Sequence, residues 1–183
     1  MNRPDPRFLA LLRGVNVGGR ALLPMPALRA ALSDSGFEDV RTHLQSGNVI
    51  LAGGSRGQKL SPALVEALIE EHFDLKVRVV LRTQAELADI VARNPLMAAA
   101  GKASNLHVVF LGSLPDPTLV DGLDPDRSPP DRFVVSGQEI FLHYPLGSGR
   151  SKLNLDHFEK KLGVIGTARN WNTVTRLLQL LGE

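Results

Sequence analysis

Two apolar runs of one kind, FLALLR at Phe8 to Arg13 and LHVVFLG at Leu106 to Gly112, each open the same succession of elements, and that doubled succession constrains the fold more than anything else in the chain. Each run is short and followed by glycine, which is the pattern of a buried strand. After the first, the loop GVNVGGRALLP leads into a helix with Pro26 in its first turn, Leu28, Ala31 and Leu32 on one face and Gly36 as the stop. Asp39 to Leu51 alternates as two short strands around Ser46-Gly47-Asn48, with Gly47-Asn48 the tight turn, or as one bent strand. A glycine-rich loop follows at 53 to 57. Ser61 and Pro62 then open a helix with Leu64, Val65, Leu68 and Ile69 on its apolar face, and Val77 to Leu81 is the returning strand. The order is β-α-β-β-α-β, the split motif of ferredoxin-like folds.

Thr83 and Glu86 have capping-box spacing, so a connecting helix runs to Asn94-Pro95, where proline ends it. The second succession starts at Leu106. Asp116-Pro117 begins a short helix, Asp121 to Asp131 reads as a solvated loop, and Arg132 to Ser136 with Glu139 to Tyr144 forms a hairpin about Gly137. Ser151 is the expected cap of a helix carrying Leu155, Phe158 and Leu162, ended by Gly163. A short strand spans Val164 to Ala168. The last helix places Val174, Leu177, Leu178 and Leu181 at i, i+3, i+4 and i+7. The expected fold is therefore α+β: two ferredoxin-like (β-α-β-β-α-β) halves, residues 1–94 and 95–183 with the terminal helix, packed into one compact unit.

Charge is informative by position rather than by total. Lys and Arg number 21 against 19 for Asp and Glu, and the pI near 9.2 follows from few groups titrating between neutrality and the lysine range. Between Gly147 and Arg176, however, Arg150, Lys152, Lys160, Lys161, Arg169 and Arg176 face only Asp156 and Glu159. No cysteine is present, which removes disulfides, thiolate zinc sites and cysteine nucleophiles together. The amino-terminal MNRPDPRF lacks the apolar run of a signal peptide and no segment reaches membrane-spanning length, so the expected setting is cytoplasmic, with no membrane partner.

Three stretches carry candidate chemistry. In RGVNVGGR, residues 13 to 20, a strand empties into glycines ahead of a helix, where converging backbone N–H groups can hold a phosphate or carboxylate; the same glycines also suit an ordinary tight connection, with Asn16 bonding its own backbone. It is neither a dinucleotide fingerprint nor a Walker loop. PLGSGRSK, residues 145 to 152, repeats the arrangement more basically, setting Arg150 and Lys152 where cations are poor neighbours of a helix dipole unless an anion offsets them. In RNWNT, Asn170 or Asn172 caps the last helix and Trp171 staples it, or Trp171 offers a face to a base while Arg169 meets a phosphate. The five histidines show no metal spacing; His107 and His143 fall in strands, where satisfied structural roles are expected. No metal or cofactor is expected.

LLRGVNVGGR with LPM, GFEDVRTHLQSGNVIL, LHYPLGSGRSKL and GTARNWNTVTRLL together resemble the bacterial family known as domain of unknown function 1697, over a span from Phe8 almost to the end. The resemblance implies a compact α+β architecture of two ferredoxin-like parts and supplies no established catalytic role to carry over to any residue. Arg13, Asn16, Gly18, Gly19, Gln45, Ser46, Gly47, Asn48, Arg150, Ser151, Lys152, Arg169, Asn170, Trp171 and Asn172 fit its pattern. Asn154-Leu155 departs from it, since Thr-Asn usually follows Arg-Ser-Lys-Leu there.

The function expected is binding of a phosphate-bearing ligand, nucleic acid or nucleotide, in a groove between the halves held by Arg13, Arg150, Lys152 and Arg169, with Trp171 stacking. One alternative is a small enzyme acting on a phosphorylated or carboxylated metabolite, with His43 or His143 moving protons. Another is an adaptor whose Arg and Trp residues anchor a protein partner.

Overall fold

A computed structural model describes residues 6–19, 21–53 and 59–183; Arg20 and the glycine-rich loop expected at 53 to 57, apart from Gly53, lie outside the described residues. The elements run β1 (Arg7–Leu12), α1 (Met25–Asp34), β2 (Glu38–His43), β3 (Asn48–Ala52), α2 (Pro62–Phe73), β4 (Val79–Thr83), α3 (Gln84–Ala92), β5 (Leu106–Leu111), α4 (Pro117–Asp121), β6 (Arg132–Ser136), β7 (Glu139–His143), α5 (Leu155–Leu162), β8 (Gly166–Asn170) and α6 (Trp171–Gly182). The chain forms two compact units, one ending at Leu87 and taking in Leu177–Glu183, the other Ala88–Arg176.

In the first unit the sheet order is β2-β3-β1-β4, antiparallel throughout, with β3 inserted between β1 and β2. That is the split β-α-β arrangement, because β1 and β2 run parallel with a strand between them. One sheet face and the helices share a core in which Leu28, Leu32, Val65 and Ile69 meet Ala10, Leu12, Val49 and Leu51. Each such leucine, isoleucine or valine contributes about 1.5–3 kcal/mol on leaving water. Alternate residues Leu9, Leu11 and Ile50 are equally buried, so both faces of the central strands are dry and the sequence reads as a continuous apolar run instead of an alternation. Ser61 caps α2 as expected, its hydroxyl accepting from Leu64 N at 3.2 Å.

The second unit repeats the order as β6-β7-β5-β8. Its core joins Val109, Leu111, Ile140 and Leu142 to Leu153, Phe158 and Leu162. The capping box holds: Thr83 N donates to Glu86 Oε2 at 2.7 Å, and Glu86 N to Thr83 Oγ1 at 3.2 Å. Among the described residues there are two four-stranded sheets and six α-helices: two ferredoxin-like halves account for the sheets and for α1, α2, α4 and α5, while α3 and α6 follow the last strand of each half.

Four local expectations are corrected. The β2–β3 connection is the four-residue turn Leu44–Gly47, with positive φ at both ends, and Asn48 is the buried first residue of β3. The strands expected at Val77 and Val164 start two residues later. Ser151 does not cap α5. A 3₁₀ turn at Ser148–Arg150 consumes the segment, the Ser151 hydroxyl accepts from Leu153 N, and Asn154 caps instead, accepting from His157 N at 2.9 Å. Asp131 is not solvated: it is 9% exposed and its carboxylate accepts from the Ser128 hydroxyl at 2.9 Å.

Candidate functional site

In the first unit, Asn16 shows why the glycine loop after β1 takes its shape. With φ near 55°, it directs Nδ2 to the carbonyls of Leu23 (2.9 Å) and Gln45 (2.8 Å) while Oδ1 accepts from Leu23 N. Its amide is thus fully committed to tying the loop to the β2–β3 turn. Asn48 Nδ2 is likewise committed, donating to His43 O and Ser46 Oγ. Gly18 and Gly19 stay open, with positive φ and nothing within 4 Å of where a Cβ would lie. Arg13 is half-buried and Gln45 exposed, the latter bonded through its carbonyl.

Arg169 and Trp171 of RNWNT belong to the interior, which overturns the stacking expectation. Trp171 is 3% exposed and offers no open face to a base. Arg169 is 7% exposed; its guanidinium donates to Thr167 Oγ1 at 2.7 Å and to the Ala168 carbonyl at 2.8 Å, and burial pushes its pKa down to about 10. A guanidinium held this way is not available to meet a phosphate from solvent. Arg82, at the same place in β4, is 6% exposed and donates to the carbonyl before it, Leu81 O. Asn170 ties β8 to Ser104 O and accepts from Asn172 N, starting α6; Asn172 is exposed.

The loop after β7 is different. Its two ends are fixed: Tyr144 Oη donates to the Leu153 carbonyl at 2.6 Å, Lys152 N donates to Ser128 Oγ, and Arg127 Nε donates to the Lys152 carbonyl. Between these anchors, Leu146 is 84% exposed, Gly147 has φ 87°, and the Arg150 and Lys152 side chains are exposed. A cleft of about 440 Å³ on this loop is lined by Ser128, Asp131, Leu146, Gly147, Arg150 and Ser151, among others. A second, of about 670 Å³, is lined by Lys102, Asn105, His143, Leu146 and Gly147, among others. Among the described residues, Lys102, Arg150 and Lys152 form no ion pair. Lys102 in the larger cleft and Arg150 in the smaller, with exposed Lys152 at the end of the loop and lining neither, form a surface that attracts anions.

Lys102 was not singled out from the sequence. It lies in the connection before β5, far along the chain from residues 145 to 152, and its only local signal was the pair Gly101-Lys102 in a loop. His143 is 7% exposed and lines the larger cleft, whereas His43 belongs to the first unit. His107 is not the satisfied histidine expected: its buried Nδ1 has no hydrogen-bond partner, its ring packs edge-on to Tyr144 at 5.2 Å, and desolvation lowers its pKa. Arg93 instead shows a closed ionic cluster, bonded to Glu139, Asp89 and Ser136 with its guanidinium over the Phe141 ring. Among the described residues no group of three or more His, Asp or Glu side chains is placed to hold a metal ion, and no helix is long and apolar enough to cross a membrane.

Residues 6–141 match the family model described as protein of unknown function DUF1697. Among solved structures, the chain is similar to the conserved bacterial protein SP0830 from Streptococcus pneumoniae, with 20% sequence identity, a TM-score of 0.71, and coverage of 98% of this chain and 99% of that one. At this identity the likeness speaks to the fold alone. No curated protein matches the sequence.

Proposed function

The chain belongs to the DUF1697 family, and on that premise, with no activity attached to the family, we propose that it binds a phosphate-bearing ligand, nucleic acid or nucleotide, in a cytoplasmic setting. The binding element is the basic glycine-rich loop from Pro145 to Lys152. The observation that carries this reading is one exposed cation in each of two clefts that meet at one anchored loop, Lys102 in the larger and Arg150 in the smaller, neither of them ion-paired among the described residues, with exposed Lys152 at the end of that loop. A cation kept out of ion pairs beside a cleft gains most when a phosphate arrives, because charge-assisted hydrogen bonds are the stronger kind. Anchoring by Tyr144, Ser128 and Arg127 lowers the ordering cost of binding.

The test is fluorescence anisotropy of labelled single-stranded RNA and DNA, with mononucleotides and inorganic phosphate as competitors, at low and moderate salt. Expected is saturable, salt-weakened binding that falls about tenfold in Arg150→Ala, the loss of one charge-assisted contact. Binding unchanged in Arg150→Ala and Lys152→Ala would overturn the reading. One observation favours a second reading, a small enzyme acting on a phosphorylated metabolite: His143 lines the same cleft as Lys102 and is the histidine there able to move a proton. Turnover of a phosphorylated metabolite lost in His143→Gln, with binding retained, would select it.

A further inference from the structure

We infer that the ligand is a single strand of nucleic acid that crosses the Leu146–Gly147 ridge with one phosphate in each cleft; this rests on the phosphate-binding reading above and decides between strand and mononucleotide. Leu146 and Gly147 line both clefts, and among the described residues no other does. Each cleft has its own cation, Arg150 in the smaller and Lys102 in the larger. A mononucleotide with one phosphate satisfies one of them. A strand carries a charge at every nucleotide and satisfies both.

The ridge suits a crossing. Gly147 has no Cβ, and the space where one would stand is open to at least 4 Å, so the backbone there is low and unobstructed. Leu146, 84% exposed, gives apolar area to a sugar or base passing over it. Clefts of about 440 and 670 Å³ fall in the range of small-ligand pockets, a volume that accommodates a nucleotide. Neither is lined by Phe, Tyr or Trp, so base stacking does not supply the affinity and charge must. Asp131 also lines the smaller cleft; its carboxylate accepts from the neutral Ser128 hydroxyl and keeps its charge, so Arg150 is the group there that meets the phosphate and Asp131 opposes it.

The experiment measures affinity against salt for hexathymidylate, for a dinucleotide with two phosphates, and for thymidine monophosphate. The proteins are the wild type, Lys102→Ala, Arg150→Ala and, as a control for overall charge, Lys160→Ala on the exposed face of α5. Single strands lose affinity with a slope of about −0.7 per phosphate contact. For one phosphate contact in each cleft, from Lys102 and Arg150, the wild-type slope is expected to be about −1.4, shallower by about 0.7 in each of those two variants and unchanged in the control. The monophosphate is expected to bind at least about tenfold more weakly than the dinucleotide. If Lys102→Ala leaves slope and affinity intact while Arg150→Ala weakens all three ligands alike, the two-cleft strand is wrong and the phosphate reading survives. A hexaglutamate peptide competing as well as hexathymidylate would overturn the assignment to nucleic acid. If no ligand binds at any salt, both readings fall together.

Discussion

Tyr144 Oη lies 2.6 Å from the Leu153 carbonyl, so the residues that bracket the candidate loop are bonded to each other across it. Tyr144 is buried at the end of the core, and burial together with the charge of Asp131 holds its phenol well above the ordinary value. Tyr144→Phe removes the donor and leaves a buried carbonyl unpaired. The expected cost is about 1–3 kcal/mol in urea unfolding, with faster amide exchange across residues 145 to 152. The raised phenol also sets a sign. Its contribution is complete below about pH 10 and is lost as pH rises above that, because the unfolded chain ionises first. The alkaline loss of stability should therefore be smaller in Tyr144→Phe.

Gly47 cannot be replaced. A Cβ there would lie 2.5 Å from Val15 Cγ2 and 2.7 Å from Leu12 Cβ, both parts of the first core, on a residue with φ +75°. Gly47→Ala is expected to cost about 2–4 kcal/mol, the sum of a left-handed alanine and overpacking. The urea midpoint of the purified variant measures it.

Asn154, which follows Arg150-Ser151-Lys152-Leu153 where the resemblance implies threonine, has a structural task. Its side chain caps α5 by accepting from His157 N, a task that a threonine hydroxyl also performs. Asn154→Thr should change stability by less than about 0.5 kcal/mol, and Asn154→Ala should lower it by about 1 kcal/mol. A large loss of ligand affinity in Asn154→Thr, with stability intact, would instead give the side chain a binding role.

His107 and His157 are both shifted down, each chiefly by desolvation, with Arg127 and Lys161 adding to the effect at His157. Proton NMR should find both midpoints below about 6.5. As pH falls below that value the unfolded chain takes up the proton first, so stability is full above it and declines as pH drops through the folded midpoints. His107→Gln should reduce that acid-side decline.

Much of the frame was legible in the sequence because strand and helix order is written in local patterns. The apolar runs at Phe8 and Leu106, the Ser61-Pro62 start and the Thr83–Glu86 box needed no knowledge of the rest of the chain. What was not legible depends on distant partners. RNWNT reads the same whether Trp171 faces solvent or core, and its 3% exposure is decided by packing. Asp131 looked solvated among its neighbours until Ser128 turned toward it. Ser151 is a reasonable cap by type, yet the 3₁₀ turn before it leaves the capping of α5 to Asn154. The loop at 145 to 152 was visible as a basic glycine-rich segment, whereas Lys102 joins it only through the fold.

The most direct measurement is a backbone amide NMR titration of the full chain with hexathymidylate at low salt. A site on the anchored loop predicts saturable shifts concentrated at Gly147, Gly149, Arg150 and Lys152, with Lys102 responding at the same ligand concentrations. Shifts confined to the Gly14–Gly19 loop of the first unit, or none at saturating strand, would contradict it.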